Sequence, residues 1–197
     1  MENTVKNRLI ELMKSNNGML TTKAVTEAGY PRVYLTHLIR EGIIERVARG
    51  IYADINIFSD DYFAFQSTHP NAIFCHNTSL YFHNMTERTP NKLDVCVKAG
   101  TNSKHYGDSI RVFYASEKIH SLGIEKINSP FGCEVKCYNL ERTLCDIIKN
   151  NRSIDQETRN KSIKEIIRSG QVNYEKLFTY AKALKCSRQI NLILDLL

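Results

Sequence analysis

Apolar residues recur at helical spacing at Leu9, Ile10, Leu12 and Met13, which predicts an opening helix that ends near Asn16-Asn17-Gly18. A second, short helix starts at Leu20-Thr21-Thr22-Lys23. Thr21 or Thr22 caps its free N–H groups, Ala24, Val25 and Ala28 form its apolar side, and Gly29 closes it. Pro31 opens a third helix, 31–41, from the first-turn position where a missing N–H does no harm, and Gly42 stops it. Leu35, Leu38 and Ile39 share one face of that helix and must pack inward. Arg32, Val33, Thr36, His37 and Arg40 share the opposite arc, with Tyr34 on the boundary. Two short strands, 43–47 and 51–53, are joined across Ala48-Arg49-Gly50. Helix, helix-turn-helix, hairpin is the order of a winged helix-turn-helix domain, expected over residues 1–55.

The pattern changes after a short polar joint at 56–61. A helix is expected over 60–68, broken by Pro70-Asn71, then a brief buried segment Ala72-Ile73-Phe74-Cys75. Asn77 or Thr78 caps the next helix, which runs through Leu80, Tyr81 and Phe82. Strands follow at 92–98 and 110–115, and a hairpin pairs 123–128 with 133–138 around Ser129-Pro130-Phe131-Gly132. Helices fill the remainder at 139–149, 155–169, 174–184 and from Ser187 to the end. The fold class is therefore α+β: the winged module, then a mixed α+β domain over 60–197 with a helical C-terminal part. Because each part has its own apolar pattern, residues 60–197 are expected to fold alone.

The exposed arc of the third helix carries the most specific chemistry. Two guanidinium forks, a hydroxyl, an imidazole and a methyl-bearing surface match what reads guanine edges, other bases and a thymine methyl in a major groove. Tyr34, and Thr22 and Lys23 at the start of the second helix, are placed to meet phosphates. Arg46 and Arg49, on the hairpin, are placed for the backbone or minor groove. The expected partner is double-stranded DNA. The net charge of +6 is shared, with eight Lys/Arg against six Asp/Glu up to Asp54 and nineteen against fifteen beyond. Lys98, Lys104, Arg111, Lys118, Lys126, Lys136 and Arg142 punctuate the strands and helix starts of the second domain. They form either a basic track that continues from the wing or scattered solubilising charge.

Other chemistry is weaker. His76-Asn77-Thr78-Ser79 brings a histidine near a serine, but neighbours at a helix start do not face one another and no Gly-x-Ser-x-Gly elbow accompanies them, so capping accounts for them. Asp94 with Glu134 and Lys136 gives the alternative of a metal-dependent nuclease, since Glu134 and Lys136 share a strand face. A ligand-sensing regulator is a further alternative. The six cysteines sit on apolar faces and read as buried thiols, not as metal ligands or disulfides. No phosphate-gripping glycine loop and no His-Glu-x2-His appears, so no metal and no cofactor is expected. Nothing approaches a membrane span and the N-terminus is no signal peptide, which places the protein in the cytoplasm without a membrane partner.

The run Gly18-Met19-Leu20-Thr21-Thr22-Lys23, then Gly29-Tyr30, then residues 38–52 (Leu38-Ile39-Arg40-Glu41-Gly42 through Gly50-Ile51-Tyr52) resembles the N-terminal domain of AbiEi antitoxins. The resemblance continues in His76-Asn77-Thr78-Ser79-Leu80, in Leu93-Asp94-Val95-Cys96-Val97 and in the helix Tyr138-Asn139-Leu140-Glu141-Arg142-Thr143-Leu144-Cys145-Asp146. It implies a non-enzymatic regulator of a type IV abortive-infection system directed against phage. Such a protein represses its own operon at an inverted-repeat operator, as a free monomer that can pair on DNA. It also counteracts a cognate nucleotidyltransferase-like toxin without a stable complex, through its second domain.

Overall fold

Helix α1 (Asn3–Lys14) forms where the apolar spacing predicts it and buries Leu9 and Met13 completely or nearly so. In the computed structural model, which describes residues 3–150 and 154–196, the chain divides into two compact units. Met1-Glu2 and the last residue of the expected terminal helix, Leu197, lie outside the described residues. The first unit is Met1–Pro70 with Asn128–Val135, and the second is Asn71–Ile127 with Lys136–Leu197.

A three-residue strand, β1 (Met19–Thr21), follows α1 and is too short to show a period of its own. Helix α2 (Thr22–Glu27) is capped by Thr21, whose Oγ1 accepts from the Ala24 N–H at 2.9 Å. Helix α3 (Val33–Arg40) begins two residues after Pro31, with Arg32 in the capping position. Strands β2 (Ile44–Ala48) and β3 (Ile51–Asp54) complete an antiparallel sheet of order β1-β3-β2, with Val47 as an extra residue in the β2–β3 register. Gly50 turns the hairpin at φ +75°, a conformation that side chains resist, and its carbonyl accepts from the Thr22 N–H at 2.8 Å. The hairpin tip is therefore tied to the first residue of α2.

Leu35 and Leu38 close this core together with Leu9, Met13, Leu20, Val25 and Ile44. Ile39, expected to join them, is 40% exposed. Its Cβ points about 70° away from the middle of the Leu35–Leu38 stripe, and an eight-residue helix is too short to bend it inward. Residues 60–70 and 128–135, which the sequence assigns to the second domain, pack within the first unit. Buried Asp60 caps α4 (Asp61–Thr68) through the Phe63 N–H and also accepts from the Ser129 hydroxyl. Asn17 donates to the Gly132 carbonyl at 2.6 Å, and Cys133 packs with Met19, Ile51, Ala53 and Ala64.

The second unit is built on a mixed sheet of order β6-β5-β4-β8-β7. Its strands are β4 (Ile73–Phe74), β5 (Leu93–Lys98), β6 (Ile110–Ala115), β7 (Ile124–Asn128) and β8 (Glu134–Tyr138). β4 runs antiparallel to β5 and parallel to β8, and β5 and β6 are parallel. Its helices are α5 (His76–Phe82), α6 (Glu117–His120), α7 (Leu140–Lys149), α8 (Gln156–Arg168), α9 (Tyr174–Leu184) and α10 (Ser187–Asp195). The last four share one apolar core with Leu144, Ile147, Ile166, Leu177 and Ile190 at its centre. None of the described helices is long and apolar enough to cross a membrane.

Helix α7 is buried along nearly its whole length, and its polar residues are cross-links. Asn139 caps it, accepting from the Arg142 N–H at 3.0 Å, and Glu141 accepts from the Asn173 N–H at 2.8 Å. Thr143 shares a hydrogen bond with Ser79 at 2.7 Å. Arg142, 2% exposed, donates through Nε to both oxygens of Asp146 and through Nη1 to the carbonyls of Ile119 and Leu122. Its guanidinium carbon lies 4.1 Å from the centre of the Tyr138 ring. Gly123 passes so close that an added Cβ would stand 2.7 Å from that of Arg142.

The sequence His76-Asn77-Thr78-Ser79 does not cap α5 as expected. Cys75 holds the cap position, and the Asp94 carboxylate takes the Asn77 N–H at 3.1 Å from across the sheet. Thr78 Oγ1 instead accepts from the Asp94 N–H at 2.8 Å, and Ser79 donates to the Tyr138 carbonyl at 2.8 Å. His76 stands apart from these bonds. Its φ is +44°, it is 5% exposed, it stacks on Phe113 at 3.9 Å, and its buried Nδ1 has no partner. Burial first, then the charges of Arg111 and Arg142, lowers its pKa from 6.5 to about 3. All six cysteines are buried free thiols.

Removing one partner of a buried ion pair leaves the other charge uncompensated. Arg142→Ala should therefore cost about 3–5 kcal/mol of stability in urea unfolding. Arg88→Ala, which breaks only exposed contacts, the pair with Asp155 and a hydrogen bond to Thr158, should leave the midpoint unchanged. Equal effects would contradict this account of the helix.

His76 gives a pH dependence of definite sign. Because its folded pKa is depressed, the unfolded chain takes up the proton first. Its contribution is complete above pH 6.5 and is lost as pH falls toward 3. The slope from this one group is at most about 1.4 kcal/mol per pH unit. His76→Phe should flatten stability against pH over that window; parallel curves for the two proteins would refute the assignment.

Candidate nucleic-acid interface

The first unit presents an exposed arc along α3. Arg32, Val33, Thr36 and Arg40 are exposed, and His37 is half-buried. Arg32 stands at the helix start and Arg40 at its last residue, so the two guanidinium groups bracket the arc. Tyr34 lies against the core, beside His37 with ring centres 6.4 Å apart, so less of its surface is open than a boundary position suggests. Arg46 folds along the hairpin, its Nε donating to the Ala48 carbonyl at 3.2 Å, and Arg49 is exposed at the tip. Because Thr21 is the cap of α2, the Thr22 hydroxyl is not consumed there, and Lys23 is exposed with a loose contact to Glu27 at 3.6 Å.

Among the described residues, ion pairing engages two lysines of the unit, Lys6 and Lys23, and none of its arginines. Lys6 is paired with Glu41 at 2.5 Å, which lowers the Glu41 carboxyl pKa below its ordinary value. Arg32, Arg40 and Arg49 make no ion pair among the described residues. Three unpaired guanidinium groups on one helix and one hairpin tip hold a local positive field that an anionic polymer can neutralise.

The seven basic residues of the second unit do not form one group of neighbours. Arg142 is buried in the α7 ion pair and is no surface residue, a position that its alternation with apolar neighbours on the sequence does not reveal. Arg111 is bound bidentately to Asp94 at 2.6 and 2.8 Å. Lys98 pairs with Glu117 at 2.5 Å, and Lys104 and Lys118 are exposed. Lys126 and Lys136 are exposed on β7 and β8, on the far side of β4 from β5 and β6.

The nuclease alternative fails on geometry. Asp94 is fully buried, and both of its oxygens are taken by Arg111 and the Asn77 N–H. Desolvation raises its pKa and Arg111 opposes the rise. Strand β4 separates β5 from β8, so Glu134 and Lys136 do not join Asp94 in one site.

One cluster among the described residues has metal-ligating types: His83, Glu125 and Cys137, whose ligand atoms all lie within 4.8 Å of one another. The His83 Nε2 lies 3.3 Å from Glu125 and 3.7 Å from the Cys137 sulfur, edges that fit a tetrahedral ion. The same nitrogen is 2.9 Å from the Tyr138 carbonyl, however, and must carry a hydrogen to bond it. The imidazole serves that carbonyl or an ion, not both. Burial, with the charge of Glu125 added, pushes the Cys137 thiol up and keeps it protonated.

Sequence reasoning missed β1, whose pairing with β3 completes the three-stranded sheet beside α2. It also missed His76 as anything more than a helix-start residue. The signal was absent from the sequence, because a left-handed φ at a histidine is set by the packing around it.

No curated protein matches the chain in sequence. Among solved structures, the fold is similar to that of the Rv2827c protein from Mycobacterium tuberculosis, at 14% identity and a TM-score of 0.57, covering 91% of this chain and 71% of that one. Over residues 7–53, which hold α2, α3 and the hairpin, the chain matches the family described as “Transcriptional regulator, AbiEi antitoxin”, the family that its motifs resemble.

Proposed function

We propose that residues 1–55 form a winged helix-turn-helix that reads double-stranded DNA, and that the protein represses its own operon. The order α1-β1-α2-α3-β2-β3 is that of a winged domain, and the family match over 7–53 is to a transcriptional regulator. The observation that carries the reading is the set of unpaired arginines: Arg32 and Arg40 bracket the exposed arc of α3, and Arg49 stands at the hairpin tip. Thr36, His37 and Val33 lie between the arginines, where they meet base edges and a thymine methyl. Lys23, Thr22, Tyr34, Arg46 and Arg49 contact phosphates or the minor groove. An inverted-repeat operator places two copies side by side, the protein being a monomer when free.

The antitoxin half of the proposal rests on the family and on the motif resemblance. The protein counteracts a cognate nucleotidyltransferase-like toxin in abortive infection, through the second domain (60–197 on the sequence division) and without a stable complex. Sequencing of the adjacent genes tests this reading: a toxin gene beside this one would support it over that of a stand-alone regulator.

Operator binding by Arg32→Ala or Arg40→Ala should weaken by about 1–3 kcal/mol, as for loss of a bidentate guanine contact. Replacing Arg46 and Arg49 together should weaken all sequences alike and reduce the slope of log K against log salt by about two contacts' worth. Fluorescence anisotropy against operator and scrambled duplexes at several salt concentrations separates the two effects. Unchanged affinity in the folded Arg32→Ala/Arg40→Ala double variant would sink the reader assignment.

The two activities should also part genetically. Arg40→Ala should abolish repression in a promoter reporter yet still rescue cells from the toxin. A stable Arg40→Ala protein that loses both activities would show that they are one.

A further inference from the structure

His76 combines two costs at one residue. A non-glycine residue held at positive φ is strained, and a buried ring nitrogen without a partner forfeits its hydrogen bond with water. Such a combination persists where the surrounding packing enforces it, and it calls for an explanation. The packing here is clear: the ring is pinned face to face on Phe113, with interplanar angle 16°. Nδ1 is the buried nitrogen; among the described residues Nε2 makes no hydrogen bond either, and His76 lines a cleft of about 450 Å³.

The cleft has a definite chemical character. Phe113, Ile119 and Leu184 supply apolar surface from β6, α6 and the end of α9. Asn150 and the exposed Lys149 stand at the end of α7. Asp146 also borders the cleft, but its charge is matched by Arg142. Among the described residues, Lys149 is the one cation at the cleft that makes no ion pair. The volume is within the range of small-molecule sites, which are apolar with a few placed polar groups.

We propose that this cleft binds a small planar organic anion, its ring between the Phe113 and Leu184 sides, its anionic group on Lys149, and a polar ring edge bonded to the His76 Nε2. A free aromatic carboxylate and a nucleoside monophosphate share this chemistry, and the site does not depend on the DNA-binding proposal. A bound ring edge gives Nε2 the partner that the protein withholds, while Nδ1 stays without one, so the strained residue holds one recognition group ready for use.

The test is calorimetric titration of the full chain with benzoate in one arm and the ribonucleoside 5′-monophosphates in the other. At least one probe should bind with a dissociation constant at or below about 1 mM. Lys149→Glu, at the exposed rim, and His76→Leu should each weaken that binding by about 10-fold or more. In protein labelled with ¹⁵N-histidine, the same probe should shift the His76 Nε2 resonance, a readout that needs no variant. No binding in either arm overturns the proposal, as does binding that survives Lys149→Glu or leaves the His76 resonance unmoved. Which arm responds identifies the source of the anion.

Discussion

The second unit depends on a single buried guanidinium. Arg142 draws together the middle of α7, the carbonyls at the end of α6 and just beyond it, and the ring at the end of β8. A positive charge so deeply buried is tolerable because Asp146 one turn later supplies the opposite charge and two carbonyls take the Nη1 donors. The geometry leaves no slack, since Gly123 is the only residue type that lets its loop pass against the arginine. The α7 motif, which most resembles a functional signature on the sequence, is therefore an architectural one. Asn139, Glu141, Arg142, Thr143 and Asp146 are each consumed in holding the helix to its surroundings.

The first unit shows the opposite arrangement. Its core is small and largely aliphatic, and among the described residues its arginines make no ion pair. Two devices position the exposed arc: Thr21 starts α2, and the Thr22–Gly50 bond fixes the hairpin tip beside that start. Leu35 and Leu38 then orient α3 so that the arginines at its two ends face outward. Glu41, next to Arg40 in the chain, is engaged with Lys6, and Glu27 with Lys23. Unquenched charge on a rigid helix is what a reader of an anionic polymer requires.

Local signals were legible in the sequence and long-range ones were not. Helices α1 to α3, the hairpin, β5, β6 and the four terminal helices follow from apolar periodicity and from Thr, Asn, Asp and Gly at helix ends. The exposed arc of α3 was legible for the same reason, because a period of 3.6 divides it from Leu35 and Leu38. Ile39 escaped because its angle is marginal on so short a helix. Strand β1 escaped because three residues show no period, and α6 because four residues do not. The assignment of 128–135 to the first unit turns on Ser129 and Asp60, sixty-nine positions apart, a pairing that no local pattern announces. The burial of Arg142 and Asp94 was hidden similarly: each reads as a surface charge until its partner is seen.

Dimethyl sulfate protection of the promoter upstream of the gene tests the central claim, that α3 enters a major groove through Arg32 and Arg40. The reagent methylates guanine N7, the atom a bidentate arginine covers. The account predicts protected guanines in both arms of an inverted repeat, with protection lost at one position per arm in Arg40→Ala while the rest of the footprint persists. Protection that is absent, or that is identical in the wild-type and Arg40→Ala proteins, would contradict it.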